Sequence, residues 1–333
     1  MSSDRPLHVA VLLYDGCFVS EAFTLVDLLH IANRTSLHLE PERPAPFDVC
    51  VVGAQAGEIV SATAQRIAVH ELNRATDLVV VPGFDLLPVG GLDRRLVSLE
   101  REVSLLALAA NRGCVVASIC VGAFLLGRAG LLDHHRATTA WLFAEHLASM
   151  FPAAVVDATE MLIDDRGVIT TAAFSAAADL ANVLISWHAS EEVTRLVGRI
   201  TLTAEQRPSQ TPFVDWSLLQ SRQPSFAAGV IASMRRDLDK RFDLRRLAAE
   251  FHLSTRSLLR RFGHETGTSP LQYMQHLRVE RAKQLLESTD QRLYEIASHV
   301  GYSDQAAFRK IFVNHTATTP SMYRQRFRAH PDT

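Results

Sequence analysis

IASHVGYSDQAAFRKIFVNHTATTPSMYR, residues 296–324, reads as a short helix, a tight turn, a second helix and an ordered exit. Ile296, Ala297 and Val300 form the apolar face of the first helix, and Gly301 can take the left-handed conformation that turns the chain. Ser303 is placed to cap the next helix by accepting from its free N–H groups. In that helix Phe308, Ile311 and Phe312 fall at helical spacing toward a core, while Gln305, Arg309 and Lys310 fall on the other side. A helix–turn–helix that shows amide and cationic side chains outward suits the major groove of DNA. Any small helical hairpin with a solvated charged face would read the same way, so one copy does not decide the function.

The pattern occurs twice. Phe262, Thr266-Gly267-Thr268-Ser269-Pro270 and Tyr273 repeat as Phe312, Thr316-Ala317-Thr318-Thr319-Pro320 and Tyr323, at an offset of 50. Upstream, Leu247 matches Ile296 and Leu253-Ser254 matches Tyr302-Ser303, at an offset of 49. The chain thus holds two helix–turn–helix units in tandem, the second recognition helix expected to be one residue longer. Thr255, Arg256 and Arg260 in the first reader, and Gln305, Ala306, Arg309 and Lys310 in the second, are the candidate DNA contacts. Residues 273–288 between them predict one long helix, with Leu277, Ala282, Leu285 and Leu286 apolar. The stretch from about Phe226 to Arg328 resembles the DNA-binding domain of AraC/XylS-family transcription regulators. Ala317 stands where that family usually has Gly, which implies a modest strain at positive φ.

The charge distribution agrees with that resemblance. Residues 226–333 hold 18 Lys and Arg against 11 Asp and Glu, a net +7, and the rest of the chain holds 16 against 25, a net −9. A basic C-terminal unit behind an acidic N-terminal one fits a DNA binder with a regulatory domain. Nearly all of the positive charge is Arg, which binds phosphates and guanine edges bidentately. The start, MSSDRPLHVAVLLY, lacks the basic region and long apolar run of a signal peptide. No apolar stretch reaches the roughly 18 residues of a membrane span. Four cysteines, at 17, 50, 114 and 120, show no paired metal spacing and read as reduced thiols in a cytoplasmic protein. No metal or other cofactor is expected.

Before residue 200 strands and helices alternate. His8–Tyr14, Phe47–Val52, Asp77–Val81 and Cys114–Ser118 read as buried strands, Glu21–Asn33 and Leu96–Arg112 as helices, and Ala172 to about Val197 as one long apolar helix. Met161–Ile163 and Val168–Thr170 flank Asp164-Asp165-Arg166-Gly167, a hairpin signal. Near-continuous apolar strands alternating with helices mean an α/β domain with a parallel sheet, whose ligands bind at the C-terminal strand ends. In Ala117-Ser118-Ile119-Cys120-Val121-Gly122-Ala123-Phe124 a buried strand runs through a Cys into a helix, the outline of a nucleophile elbow. On composition alone a small buried residue at a strand end is the simpler reading of Cys120.

Residues from about His8 to Ser190 resemble the ThiJ/PfpI branch of the class I glutamine-amidotransferase-like superfamily, a flavodoxin-like fold. The matching pieces are Val81-Pro82-Gly83, Ser118-Ile119-Cys120-Val121-Gly122, Leu131-Leu132 through Arg136-Ala137-Thr138-Thr139, and the Thr170–Leu180 segment. The resemblance implies that Cys120 holds the nucleophile position and that Glu21 hydrogen-bonds its thiol. Two departures stand out: Ala140 where a His commonly follows the Thr pair, and Val121 where the proteases of the family have a catalytic His. With neither imidazole, Cys120 has no evident general base. His134, His135 and His146 hold no family position and read as surface residues. Glu21, Gly83, Cys120 and Val121 are the candidate effector pocket.

Residues 204–224, rich in Pro, Gln and Ser, break the periodicity and read as a linker on which Phe213, Trp216, Leu218 and Leu219 are able to dock. The expected organisation is an amidotransferase-like domain over 1–203, a linker over 204–225 and an all-α domain with two helix–turn–helix motifs over 226–333. The pair resembles the GlxA type of AraC/XylS regulators. That implies a sequence-specific transcription regulator and not an enzyme, its partners double-stranded DNA, a small-molecule effector and a second copy bound through the N-terminal domain. The rival is a cysteine-dependent hydrolase or hydratase fused to a DNA-binding domain, against which the missing imidazoles count. A purely dimerising N-terminal scaffold is the third reading.

Overall fold

The computed structural model describes residues 5–72, 76–86, 91–203, 207, 209–215, 218 and 225–328. The chain divides into two compact units, Met1–Gln210 and Thr211–Thr333. Part of the stretch expected as a linker therefore belongs to one unit or the other, and Trp216 and Leu219 lie outside the described residues. No helix among the described residues is long and apolar enough to cross a membrane.

In the first unit the strands are β1 (Leu7–Leu12), β2 (Phe47–Gly53), β3 (Gly57–Val60), β4 (Arg66–Glu71), β5 (Leu78–Val81), β6 (Val115–Ser118), β7 (Arg136–Ala137), β8 (Val155–Val156), β9 (Leu162–Asp165) and β10 (Val168–Thr171). Eight of them form one sheet in the order β3-β4-β2-β1-β5-β6-β10-β9. The middle of the sheet, from β4 to β10, is parallel, and β3 and β9 close its edges as antiparallel hairpins. Its central strands are apolar on both faces, as β5 shows with four buried residues, because helices cover them. The β9–β10 turn places Arg166 at φ 54° and Gly167 at φ 83°, the paired left-handed residues of a tight hairpin.

The helices are α1 (Val19–Leu39), α2 (Leu92–Ser98), α3 (Glu100–Asn111), α4 (Ala123–Arg128), α5 (Ala144–Met150), α6 (Ala176–His188) and α7 (Glu191–Ile200). Two expected helices are each broken. The helix expected over 96–112 is α2 and α3, joined at Leu99. Leu96, Leu99, Val103 and Leu106 are all buried at helical spacing, so the apolar pattern runs straight through the break. The helix expected over 172–197 is α6 and α7, and Ser190 starts the second by accepting from the Val193 N–H. Residues 172–175 are not helical; they form a turn after β10.

The second unit holds α8 (Phe226–Arg236), α9 (Leu244–Glu250), α10 (Thr255–Thr266), α11 (Pro270–Ser288), α12 (Leu293–His299), α13 (Gln305–Thr316) and α14 (Pro320–Phe327). Both recognition helices, α10 and α13, have 12 residues, so the second is not the longer. The extra residue sits in the turn before it. Ser254 caps α10, but at α13 the cap is Asp304, which accepts from the Ala306 and Ala307 N–H groups, and Ser303 lies one residue outside. The change of offset from 49 to 50 is this residue. At the far ends of the same helices Gly267 and Ala317 match: both are left-handed, with φ 69° and 51°.

Helix α11 belongs to two cores. Tyr273, Met274 and Leu277 pack with α8–α10, while Val279, Ala282, Leu285 and Leu286 pack with α12–α14. Between the two sets Arg278 is buried. Its guanidinium donates to the Leu238 and Lys240 carbonyls at 3.1 and 2.6 Å and lies 5.0 Å from the centre of the Tyr302 ring. Gly301 comes so close that a Cβ there would lie 2.5 Å from the guanidinium and 2.7 Å from the Leu238 oxygen, at φ 81°. Two substitutions test these turns in opposite directions. Ala317→Gly relieves an L-residue at positive φ and should stabilise by about 1 kcal/mol, whereas Gly301→Ala adds strain and a clash and should destabilise by at least ~1 kcal/mol. Urea denaturation measures both, and shifts of the same sign would contradict the assignment of the two turns.

Candidate functional site

The C-terminal ends of β5 and β6 carry the first site. After Ser118 the chain turns through Ile119 to Cys120, which sits at φ 55°, a left-handed position rare for a residue with a Cβ. Glu21 comes from the first turn of α1 and is 0% exposed. One of its oxygens accepts from the Gly83 N–H at 2.6 Å, and the other has no hydrogen-bond partner. A Cβ on Gly83 would lie 3.1 Å from the Glu21 carboxyl, 3.2 Å from the Val121 side chain and 3.3 Å from the Cys120 Cβ. The fold thus brings Glu21, Gly83, Cys120 and Val121 to one point.

Burial raises the Glu21 carboxyl to about pH 7, against the opposing pull of the Gly83 N–H and the Cys120 thiol. The Cys120 thiol is pushed well above the ordinary thiol range, first by burial and then by the Glu21 charge, although the Val121 and Phe174 backbone groups bond the sulfur and favour the thiolate. Burial therefore favours the protonated form of both groups. The Phe174 backbone favours the thiolate, and its ring lies outside, edge-on to Phe18 at 5.8 Å.

Threonines hold the turn. The Thr139 hydroxyl donates to the Cys120 carbonyl at 2.9 Å, the Thr171 hydroxyl to the Ser118 carbonyl at 3.2 Å, and the Thr138 N–H to the Thr170 hydroxyl at 2.8 Å. Gln210, the last residue of this unit, is 2% exposed and laced to the same loop. Its amide donates to the Thr139 carbonyl at 2.9 Å and accepts from the Trp141 N–H at 2.9 Å. Arg207 donates to the Ser175 hydroxyl and carbonyl at 2.8 and 3.0 Å and pairs with Asp179, fixing the loop that carries Phe174. The sequence reading missed Gln210 and Arg207. Both lie in an aperiodic Pro/Gln/Ser stretch, where nothing in the pattern marks a buried amide. Of the three histidines read as surface residues, His135 is engaged with the Asp165 carbonyl at 3.0 Å.

The second site is the outer face of the recognition helices. Leu258 and Phe262 in α10, and Phe308 and Phe312 in α13, are fully buried. Arg256, Arg260, Gln305, Ala306, Arg309 and Lys310 are exposed and Thr255 is half-buried. Other arginines of this unit are engaged: Arg236 with Glu250, Arg246 with Asp237, and Arg261 with Glu265 and the Phe226 ring. No ion pair or hydrogen bond among the described residues ties down Arg256, Arg260, Arg309 or Lys310. The sequence reading passed over Leu259, which is exposed beside Arg260. It lines, with Thr255, Ser269, Arg241, Arg245 and Arg246, a cleft of about 940 Å³.

Comparison with known proteins agrees with this two-part architecture. The profile of the DJ-1/PfpI family matches residues 7–186, and that of a helix-turn-helix domain matches residues 247–326. The HTH-type transcriptional regulator GbdR of Pseudomonas aeruginosa is 27% identical over 326 residues, which cover 96% of this chain and 85% of that protein. The HTH-type transcriptional regulator CdhR of the same species is 25% identical over 322 residues, 94% of this chain and 90% of that protein. The MmsAB operon regulatory protein, also of Pseudomonas aeruginosa, is 41% identical over 100 residues, 30% of this chain and 33% of that protein. The chain belongs to the DJ-1/PfpI family and carries, behind that domain, a helix-turn-helix domain of the AraC type.

Proposed function

We propose that the protein is a sequence-specific DNA-binding transcription regulator, that α10 and α13 are its two readers, and that a small molecule bound beside Cys120 controls it. The observation that carries the DNA arm is the set of cations left without an internal partner on the outer faces of two equivalent helices. An exposed guanidinium with no internal carboxylate is available to phosphates and to guanine edges. Relatives that span nearly the whole chain and bear the name of transcriptional regulator support the same reading. Two readers on one chain engage successive major-groove faces, about one helical turn apart. Arg256→Ala and Arg260→Ala should each cost about 1–3 kcal/mol at a specific site, measured by titration of labelled duplex. Arg261→Ala, already held by Glu265 and Phe226, should cost far less. Equal losses at all three positions would contradict the assignment of the reading face.

The pocket reads as a sensor and not as a hydrolytic centre. Covalent catalysis needs a thiolate and a group to move its proton, and here burial and Glu21 favour the thiol. Among the described residues the groups that act on the sulfur are Glu21 and the Val121 and Phe174 backbone, and none is an imidazole. Purified protein should therefore turn over no amide, nitrile or glyoxal-adduct substrate, and Cys120→Ala should still bind DNA. Turnover near the usual enzyme range of ~1–10³ s⁻¹ that disappears in Cys120→Ala would overturn this reading.

The route out of the pocket is the hydrogen-bond chain from the Cys120 carbonyl through Thr139 to Gln210, after which the second unit begins. A ligand that moves the Cys120 turn acts on that segment through these bonds. Alkylation by iodoacetamide, with Cys120→Ala subtracting the other three thiols, reports on the turn directly. Gln210→Ala should raise the labelling rate of Cys120 severalfold, and an unchanged rate would mean that residue 210 and the pocket are not coupled.

A further inference from the structure

The two recognition helices are built alike inside and differently outside. At the offset of 50, the buried Leu258 and Phe262 correspond to the buried Phe308 and Phe312. On the outer face Arg256, Leu259 and Arg260 correspond to Ala306, Arg309 and Lys310. Residues three and four apart share a helix face, so Leu259 and Arg260 both lie beside Arg256, on opposite sides of it. Its side chain is 41% exposed, while that of Leu258 beside it is 0% exposed.

The surroundings of Leu259 select what covers it. It faces the cleft that Leu271, itself 49% exposed, also lines; the walls of that cleft carry Arg241 and Arg245, with Arg246 paired to Asp237 and Asp243 capping α9. The occupant has to be anionic at its edges and apolar at one point within. Duplex DNA meets both conditions: phosphates outside and, in the major groove, the C5-methyl of thymine as the apolar group on the base edges.

We propose that Leu259 is a specificity determinant of the first reader, packing on the C5-methyl of a thymine next to the base contacted by Arg256. This rests on the DNA-reading function proposed above. The second reader has Arg309 at the corresponding place and takes a hydrogen-bonding base there, guanine. The two halves of the site bound by one chain are therefore different sequences, and the first prefers thymine at one position.

Selection from random duplexes by the full-length protein, followed by replacement of single thymines with deoxyuridine, tests this. Deoxyuridine pairs as thymine does and lacks only the methyl group. At one thymine in the first half-site the replacement should weaken wild-type binding roughly fourfold, the value of one buried methyl. Leu259→Ala should bind the two duplexes alike while keeping the flanking guanine preferences. Leu259→Arg, which gives the first reader the residue of the second, should select guanine at that position. If a specific site emerges but no thymine distinguishes itself from deoxyuridine, or if Leu259→Ala keeps the distinction, the inference is wrong and the DNA-reading function stands. If no sequence is enriched at all, the DNA-reading function itself fails and this inference with it.

Discussion

The left-handed backbone of Cys120 is the constraint on which the N-terminal unit turns. A residue with a Cβ at φ 55° holds that conformation only where its surroundings over-determine it. Here β6 delivers the chain to the turn, α4 follows it almost at once, and the Thr139 hydroxyl bonds the Cys120 carbonyl. The same turn directs the sulfur to Glu21, whose carboxyl is buried with one oxygen bonded and one not. An arrangement of this kind is costly to bury, since one carboxyl oxygen is left without a hydrogen-bond partner.

The C-terminal unit solves a different problem with a comparable device. Two small helical cores, each too small to be secure alone, share one long helix, and α11 supplies apolar residues to both. Arg278 lies where the two sets meet and bonds the backbone of the first half while touching Tyr302 of the second. A buried guanidinium is tolerated there because carbonyl groups and an aromatic face receive it. The bonds are directional, so they set the orientation of the halves where apolar packing alone would allow sliding. The separation of α10 and α13 follows from this junction.

Much of this was legible in the sequence because it depends on local spacing. Gly, Ser, Thr and Pro at fixed offsets mark both helix–turn–helix motifs, and apolar periodicity marks α10, α11 and α13. The elbow at Cys120 was visible as a buried strand running into small residues. The breaks at Leu99 and after His188 were not, since the apolar rhythm continues through the first and a single Ser marks the second. The cap at Asp304 was missed for a related reason: Ser303 and Asp304 are both capping residues, and their order does not say which one the backbone of α13 reaches.

The sequence by itself determined that the chain has a parallel α/β domain and two tandem readers, because periodicity and turn chemistry act over a few residues and need no distant partner. The grouping of Glu21 with Gly83 and Cys120 came from the family resemblance, since Glu21 lies on a helix and no local pattern ties it to the strand ends. Only the tertiary structure decided which arginines are occupied and which are available, since Arg246 and Arg256 look alike until Asp237 is brought beside one of them. The burial of Gln210 was decided in the same way: its partners Thr139 and Trp141 lie about seventy residues away. Hydrogen bonds and ion pairs are short-ranged and directional, so their membership depends on which groups the whole fold brings within reach, and no local pattern carries that information.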